Sequence, residues 1–163
     1  MSYKIVFYPE LCVACGACSV ACMDQNDTLV QEGMQPLRHV YQKEYYDGAG
    51  KAHIGYYSES CRHCDDAPCI DACPAGCLSK DPETGFTVYD TADCTGCRNC
   101  CPACPYGALT FDAEGKMRKC DGCNERVKAG YQPACVAVCP FEALLLRRSS
   151  EEQEIRIDGI RSV

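Results

Sequence analysis

Sixteen of the 18 cysteines fall into four quartets whose spacing suits sulfur ligation of iron. They are Cys12, Cys15, Cys18 and Cys22; Cys61, Cys64, Cys69 and Cys73; Cys94, Cys97, Cys100 and Cys104; and Cys120, Cys123, Cys135 and Cys139. The first and third read C-x2-C-x2-C-x3-C, a run in which three thiolates wrap one corner of a cubane and the fourth serves a neighbouring cluster. The second widens one gap to four residues and the fourth widens it to eleven, while all four keep the opening C-x2-C and the closing C-x3-C. Clusters carry electrons, so the expected chemistry is one-electron transfer through four [4Fe–4S] groups. Pro74, Pro105 and Pro140 follow three of the closing cysteines, where a residue lacking an N–H fixes the direction of the departing chain. The first quartet has Met23 there instead.

Two other uses of cysteine compete with this reading. A disulfide scaffold belongs to a secreted chain, and residues 1–11 (MSYKIVFYPEL) lack the charged and apolar regions of a secretory signal. Structural zinc uses pairs of C-x2-C pairs, which leaves the third cysteine of three quartets surplus; only the fourth quartet passes as a zinc site by itself. Cys77 and Cys101 are left over, Cys77 as a buried thiol and Cys101 because Cys100 keeps the x3 spacing to Cys104. His63, between Cys61 and Cys64, is a candidate to support the ligands from behind. His39 and His53 read as hairpin or surface residues.

Composition agrees with a cluster carrier. The chain has 163 residues, no Trp and four Phe, so its apolar core is small and ligation must supply much of the folding free energy. A formal charge of −7 falls to roughly −15 once four thiolate-ligated cubanes are counted, which excludes a nucleic-acid partner. No segment approaches the run of about eighteen apolar residues that a membrane span needs. No Ser/His/Asp set, phosphate-binding loop or metal-binding His pair is present, so the chain reads as a non-catalytic subunit. The expected location is the cytoplasm.

The elements that must position these cysteines are short. Residues 2–7 (SYKIVF), 86–89 (FTVY), 109–111 (LTF) and 144–146 read as strands. Residues 40–57 read as a hairpin around the turn DGAG, and 124–133 as a short helical loop. Tyr41, Tyr45, Tyr46, Tyr56 and Tyr57 of the hairpin serve either as a docking face or as a cover for the core. The expected fold is α+β, a tandem of two bacterial ferredoxin-like modules with short strands and helices around the clusters. An inner module occupies residues 54–113, an outer module residues 1–53 plus 114–150, and a charged tail residues 151–163. Spacing alone leaves open whether the quartets pair in this nested way or sequentially.

The motifs CVACGACSVAC, CRHCDDAPCIDACP, CTGCRNCCPACPYGAL and KCDGCNERVKAGYQPACVAVCP, in this order over about residues 3–146, resemble a known family. It comprises the four-cluster iron–sulfur electron-transfer subunits of the dimethyl-sulfoxide-reductase type, with the small subunits of formate dehydrogenase and formate hydrogenlyase. The resemblance implies nested pairing: Cys12, Cys15 and Cys18 with Cys139; Cys120, Cys123 and Cys135 with Cys22; Cys61, Cys64 and Cys69 with Cys104; Cys94, Cys97 and Cys100 with Cys73. It also implies four clusters in a line and a molybdenum or tungsten pterin catalytic partner, with a hydrogenase or flavin subunit beyond. The chain is shorter than membrane-anchored members, which points to a soluble complex of the formate dehydrogenase or aldehyde oxidoreductase type and leaves room for head-to-tail association. A free-standing polyferredoxin shuttle is the rival expectation.

Overall fold

A computed structural model describes residues 2–28 and 35–149; the tail at 151–163 lies outside them. Strand β1 (Tyr3–Phe7) is followed by a 3-10 turn (Pro9–Leu11) and helix α1 (Ala17–Gln25). Strands β2 (His39–Tyr46) and β3 (Ala52–Glu59) form the hairpin. Helix α2 (Pro68–Asp71), strands β4 (Leu78–Lys80) and β5 (Thr87–Tyr89), helix α3 (Cys100–Ala103) and strands β6 (Leu109–Phe111) and β7 (Met117–Lys119) come next. Helices α4 (Asn124–Lys128) and α5 (Ala134–Ala137) and strand β8 (Leu144–Arg148) complete the described chain. Among the described residues the strands pair as four antiparallel two-stranded sheets, β1–β8, β2–β3, β4–β5 and β6–β7. The result is a mixed α+β arrangement of short helices and two-stranded antiparallel sheets.

Three small cores hold it. Cys18, Cys135, Val136 and Leu144, with Ile5, Phe7 and Leu146 against them, join the two ends of the described chain, where β1 places Ile5 opposite Leu146. Ala67, Cys69, Leu78, Cys100 and Met117 form a second core from the middle of the chain. Cys22, Leu37 and Cys120, with Cys61 against them, form the third and bring both sets together. Phe86, fully buried, packs 4.7 Å from the His63 ring and 6.5 Å from the Tyr3 ring.

Strands β4 and β7 are absent from the sequence reading. Their segments, LSK and MRK, are too short and mixed to carry an alternating pattern; Leu78 and Met117 enter the second core and hold each strand against its partner. The expected module boundaries fall at hairpins. A cut at 53/54 falls inside β3, and one at 113/114 falls in the Asp112–Lys116 turn between β6 and β7, closed by Asp112 N–H to Lys116 O at 3.0 Å. Among the described residues no helix is long and apolar enough to cross a membrane.

Candidate metal centres

The four opening C-x2-C loops share one backbone device. Two residues after the first cysteine the chain turns left-handed, at Ala14 (φ 52°), His63 (φ 50°), Gly96 (φ 67°) and Gly122 (φ 75°). This turns N–H groups inward toward sulfur, as in the anion-binding nests of other proteins. Ala14 donates to Cys12 Sγ at 3.4 Å, His63 to Cys61 Sγ at 3.5 Å and Gly122 to Cys120 Sγ at 3.3 Å. Cys94 receives its bond at 3.4 Å from Met117 on β7. Glycine is required at two of the turns: a Cβ at Gly96 would lie 2.6 Å from Gly115 O, and one at Gly122 would lie 2.5 Å from the Phe86 ring.

The closing cysteines share a second device. After Cys73 and Cys104, proline turns the chain so that the N–H four residues on returns to sulfur: Cys77 to Cys73 Sγ at 3.3 Å, Ala108 to Cys104 Sγ at 3.5 Å. With Met23 in place of proline, α1 instead continues to Gln25. There the Asn26 side-chain amide supplies the donor, 2.7 Å from Cys22 O and 3.6 Å from Cys22 Sγ.

These loops gather the thiols into four groups. One small cavity is lined by Cys12, Cys15, Cys18 and Cys139. Another is lined by Cys61, Cys64, Cys69 and Cys104, and a third by Cys73, Cys94, Cys97 and Cys100 together with the leftover Cys77. Around Cys22, burial and then Cys120, Cys135 and Cys123 push the thiol up to about 12. Counting the quartet cysteines alone, each group takes three from one run and the last from another, and Cys77 stands as a fifth thiol beside Cys73 and Cys94. Cys15 and Cys97 are the exposed members.

The donors fit a cubane in three respects. First, burial raises the Cys120 and Cys135 thiols and pushes Cys123 up to about 12 and Cys100 to about 11. Ionising such a set needs a cationic core to receive it, with protons released on binding. Second, two cations are buried among these thiols. Lys119, 1% exposed, donates to Thr87 O and to Cys120 O, the latter at 2.6 Å. Arg38, 4% exposed, donates to Ser58 O and Ser58 Oγ at 3.1 Å and to Ser60 Oγ at 2.7 Å, and its charge acts on Cys120 and Cys135. Buried cations require nearby negative charge, which a thiolate-ligated cluster supplies. Third, Thr87 Oγ1 is buried without a hydrogen-bond partner, and Thr87 lines the Cys61 cavity, where cluster sulfur would accept a hydrogen bond from its hydroxyl. Among the described residues no three ligating side chains lie close enough to hold a single metal ion.

His63 is 6% exposed. Burial, then the charges of Lys119, Lys80 and Arg38, hold its imidazole well below the usual range, so it is neutral. Its Nδ1 accepts the Thr87 N–H at 3.0 Å, which places the proton on Nε2, 3.8 Å from Cys120 Sγ. His53 instead pairs with Asp47 at 2.8 Å on the hairpin, and His39 stands in β2 opposite Glu59. Cys77 is buried beside Cys73; Cys101 is half-buried next to buried Cys100. Sequence reasoning missed Arg38, Lys119, Thr87 and Asn26. Lys119 adjoins Cys120, but nothing in the sequence distinguishes a buried lysine from a solvated one.

Residues 52–149 match the family model described as a 4Fe-4S dicluster domain. The chain is 43% identical over 138 residues to the probable anaerobic dimethyl sulfoxide reductase chain YnfG of Escherichia coli (strain K12), covering 82% of this chain and 67% of the relative. Identity is 40% over 151 residues to the B component of the anaerobic dimethyl sulfoxide reductase of Haemophilus influenzae, covering 87% and 72%. It is 34% over 163 residues to the thiosulfate reductase electron transfer subunit PhsB of Salmonella typhi, covering 99% and 83%.

Proposed function

Because this protein belongs to the 4Fe-4S dicluster family and to the iron–sulfur electron-transfer subunits of molybdopterin oxidoreductases, we propose that it relays single electrons along four [4Fe–4S] clusters. The relay runs between a molybdenum or tungsten pterin catalytic subunit and a second redox partner. A [4Fe–4S] cluster, when bound, accepts and returns one electron at a potential set by hydrogen bonds, burial and nearby charge. The observation that carries the proposal is the thiol grouping: Cys12, Cys15, Cys18 and Cys139, and Cys22 with Cys120, Cys123 and Cys135, would form the outer module. Cys61, Cys64, Cys69 and Cys104, and Cys73 with Cys94, Cys97 and Cys100, would form the inner one. These two modules would meet where Cys22, Cys120 and Cys61 pack together.

For the catalytic partner, the names of the relatives favour a reductase of a small sulfur oxide or oxyanion within the same pterin class as the formate dehydrogenase and aldehyde oxidoreductase types. The hairpin favours a resident subunit over a free shuttle. Nearly every residue of β2 is exposed, Tyr46 is 71% exposed, and Tyr41 stacks on Tyr57 with centroids 5.2 Å apart. A two-stranded hairpin is marginal by itself in water, so a partner surface is the natural cover for this one.

Anaerobic purification of the native assembly, with iron, sulfide, molybdenum and tungsten measured together, tests the proposal. About sixteen irons per chain beside a pterin metal is the expected result. The same iron content with neither metal would favour the shuttle, and zinc without iron would overturn both.

A further inference from the structure

We propose that His63 is the hydrogen-bonded link between the two central clusters, and that its imidazole raises the reduction potential of the cluster held by Cys22, Cys120, Cys123 and Cys135. The inference rests on the cluster reading above and adds to it a residue that holds no iron.

His63 belongs to the ligand loop of one group and touches a sulfur of another. Its backbone N–H donates to Cys61 Sγ at 3.5 Å, a bond made possible by its left-handed backbone (φ 50°). Its side chain extends the other way, with Nε2 at 3.8 Å from Cys120 Sγ. The N–H···S bonds from Ala14, Asn26, Cys77, Ala108, Met117 and Gly122 each stay within one group. The tautomer that makes Nε2 a donor is fixed from behind by Thr87 N–H on Nδ1 at 3.0 Å. The ring is held in place by Phe86 at 4.7 Å, itself wedged against Gly122 of the Cys120 loop. The residue therefore spans the junction of the two modules by a short path: Cys120 Sγ, imidazole, Cα, N–H, Cys61 Sγ.

A donor to ligand sulfur favours the reduced cluster, which carries one more negative charge, and so raises the potential. Electron transfer between clusters held at the two sites would oxidise one by one electron as it reduces the other by one. No bond forms or breaks, and His63 keeps its Nε2 proton throughout.

Two substitutions separate the role from mere packing. Asparagine tolerates the left-handed backbone and retains the N–H to Cys61, but its amide is too short to take the place of Nε2. Glutamine places a donor near the Nε2 position. With full iron content in both, His63→Asn should shift the one-electron equilibrium of one central cluster toward the oxidised form by up to about tenfold, or about 59 mV. His63→Gln should restore most of that shift. The affected cluster should be the one lost in Cys22→Ser protein. Equal potentials in wild type and His63→Asn, or an equal shift in both variants, would overturn the proposal. Should His63→Asn fail to load iron, pulsed EPR of wild-type protein with 15N-labelled histidine decides alone: a coupling from an imidazole nitrogen to a reduced cluster is expected, and its absence refutes the link. Low iron in the wild type would instead refute the cluster reading itself, before either variant is compared.

Discussion

At Cys22 the exchange of ligands between runs is open to test by one atom. Its thiol sits with Cys120, Cys135 and Cys123, which together with burial push it up to about 12, and its sulfur and carbonyl are braced by Asn26. Cys22→Ser should therefore damage the cluster of the Cys120 run and leave that of Cys12, Cys15 and Cys18 intact. EPR of the reduced protein, counting which signal disappears, checks this; loss of the first-run signal would contradict the grouping. The cysteine runs that the structure gathers were legible in the sequence because spacing is a property of the chain. The groups that surround them were not. Arg38, Lys119 and Thr87 owe their importance to burial, which is set by residues far away in sequence: Lys119 to Thr87 O across 32 positions, Arg38 to Ser58 across 20.

Among the elements, the turn after β4 ties the middle of the chain to α4. Asp81 Oδ1 accepts from Glu83 N–H and Thr84 N–H at 3.0 Å, and its Oδ2 accepts from Asn124 Nδ2 at 3.1 Å and Lys128 Nζ at 2.6 Å. Burial acts to raise the Asp81 carboxyl, but Lys128, the Thr84 N–H, Asn124 and the Glu83 N–H outweigh it and hold the group well below the usual carboxylate range. The folded state thus prefers the ionised form, and the stabilisation is complete above the unfolded value near pH 4 and lost as pH falls through the folded one. Asp81→Asn should cost about 1.5–3 kcal/mol at pH 7. In thermal unfolding of the anaerobic holoprotein, the gap between wild type and variant should stay constant from pH 8 to pH 5; a gap that narrows over that range would show that another group is responsible. The strands of the sequence reading correspond to elements of the structure wherever apolar residues run together, as in β1, β5, β6 and β8. Strands β4 and β7 escaped because a three-residue strand has no periodicity of its own and exists only through its partner and Leu78 or Met117 beneath it.

For the molecule as a whole, the balance between chain entropy and apolar burial decides what iron contributes. Among the described residues the five helices are four to nine residues long, and isolated helices below about twelve residues are marginal in water. The paired strands of three sheets run only three to five residues, and every one of these three cores contains cysteines of the proposed ligand sets. Without iron these cores lose their organising centres, the raised thiols remain protonated, and Lys119 and Arg38 are left as buried cations facing neutral sulfur. Each change opposes the fold, so cluster binding and folding should be one event. Anaerobic removal of iron by a chelator should abolish the cooperative thermal transition and most of the ordered far-ultraviolet circular dichroism together, with readdition of iron and sulfide restoring both. An apoprotein that kept a sharp transition would mean that the apolar contacts suffice and that the clusters occupy a scaffold already formed. The β2–β3 hairpin sharpens the test: its ladder of eight paired positions contains no cysteine, but Val40 packs on the Cys18 and Cys135 core and a two-stranded hairpin is marginal alone, so its signal should be lost with the rest as iron is withdrawn.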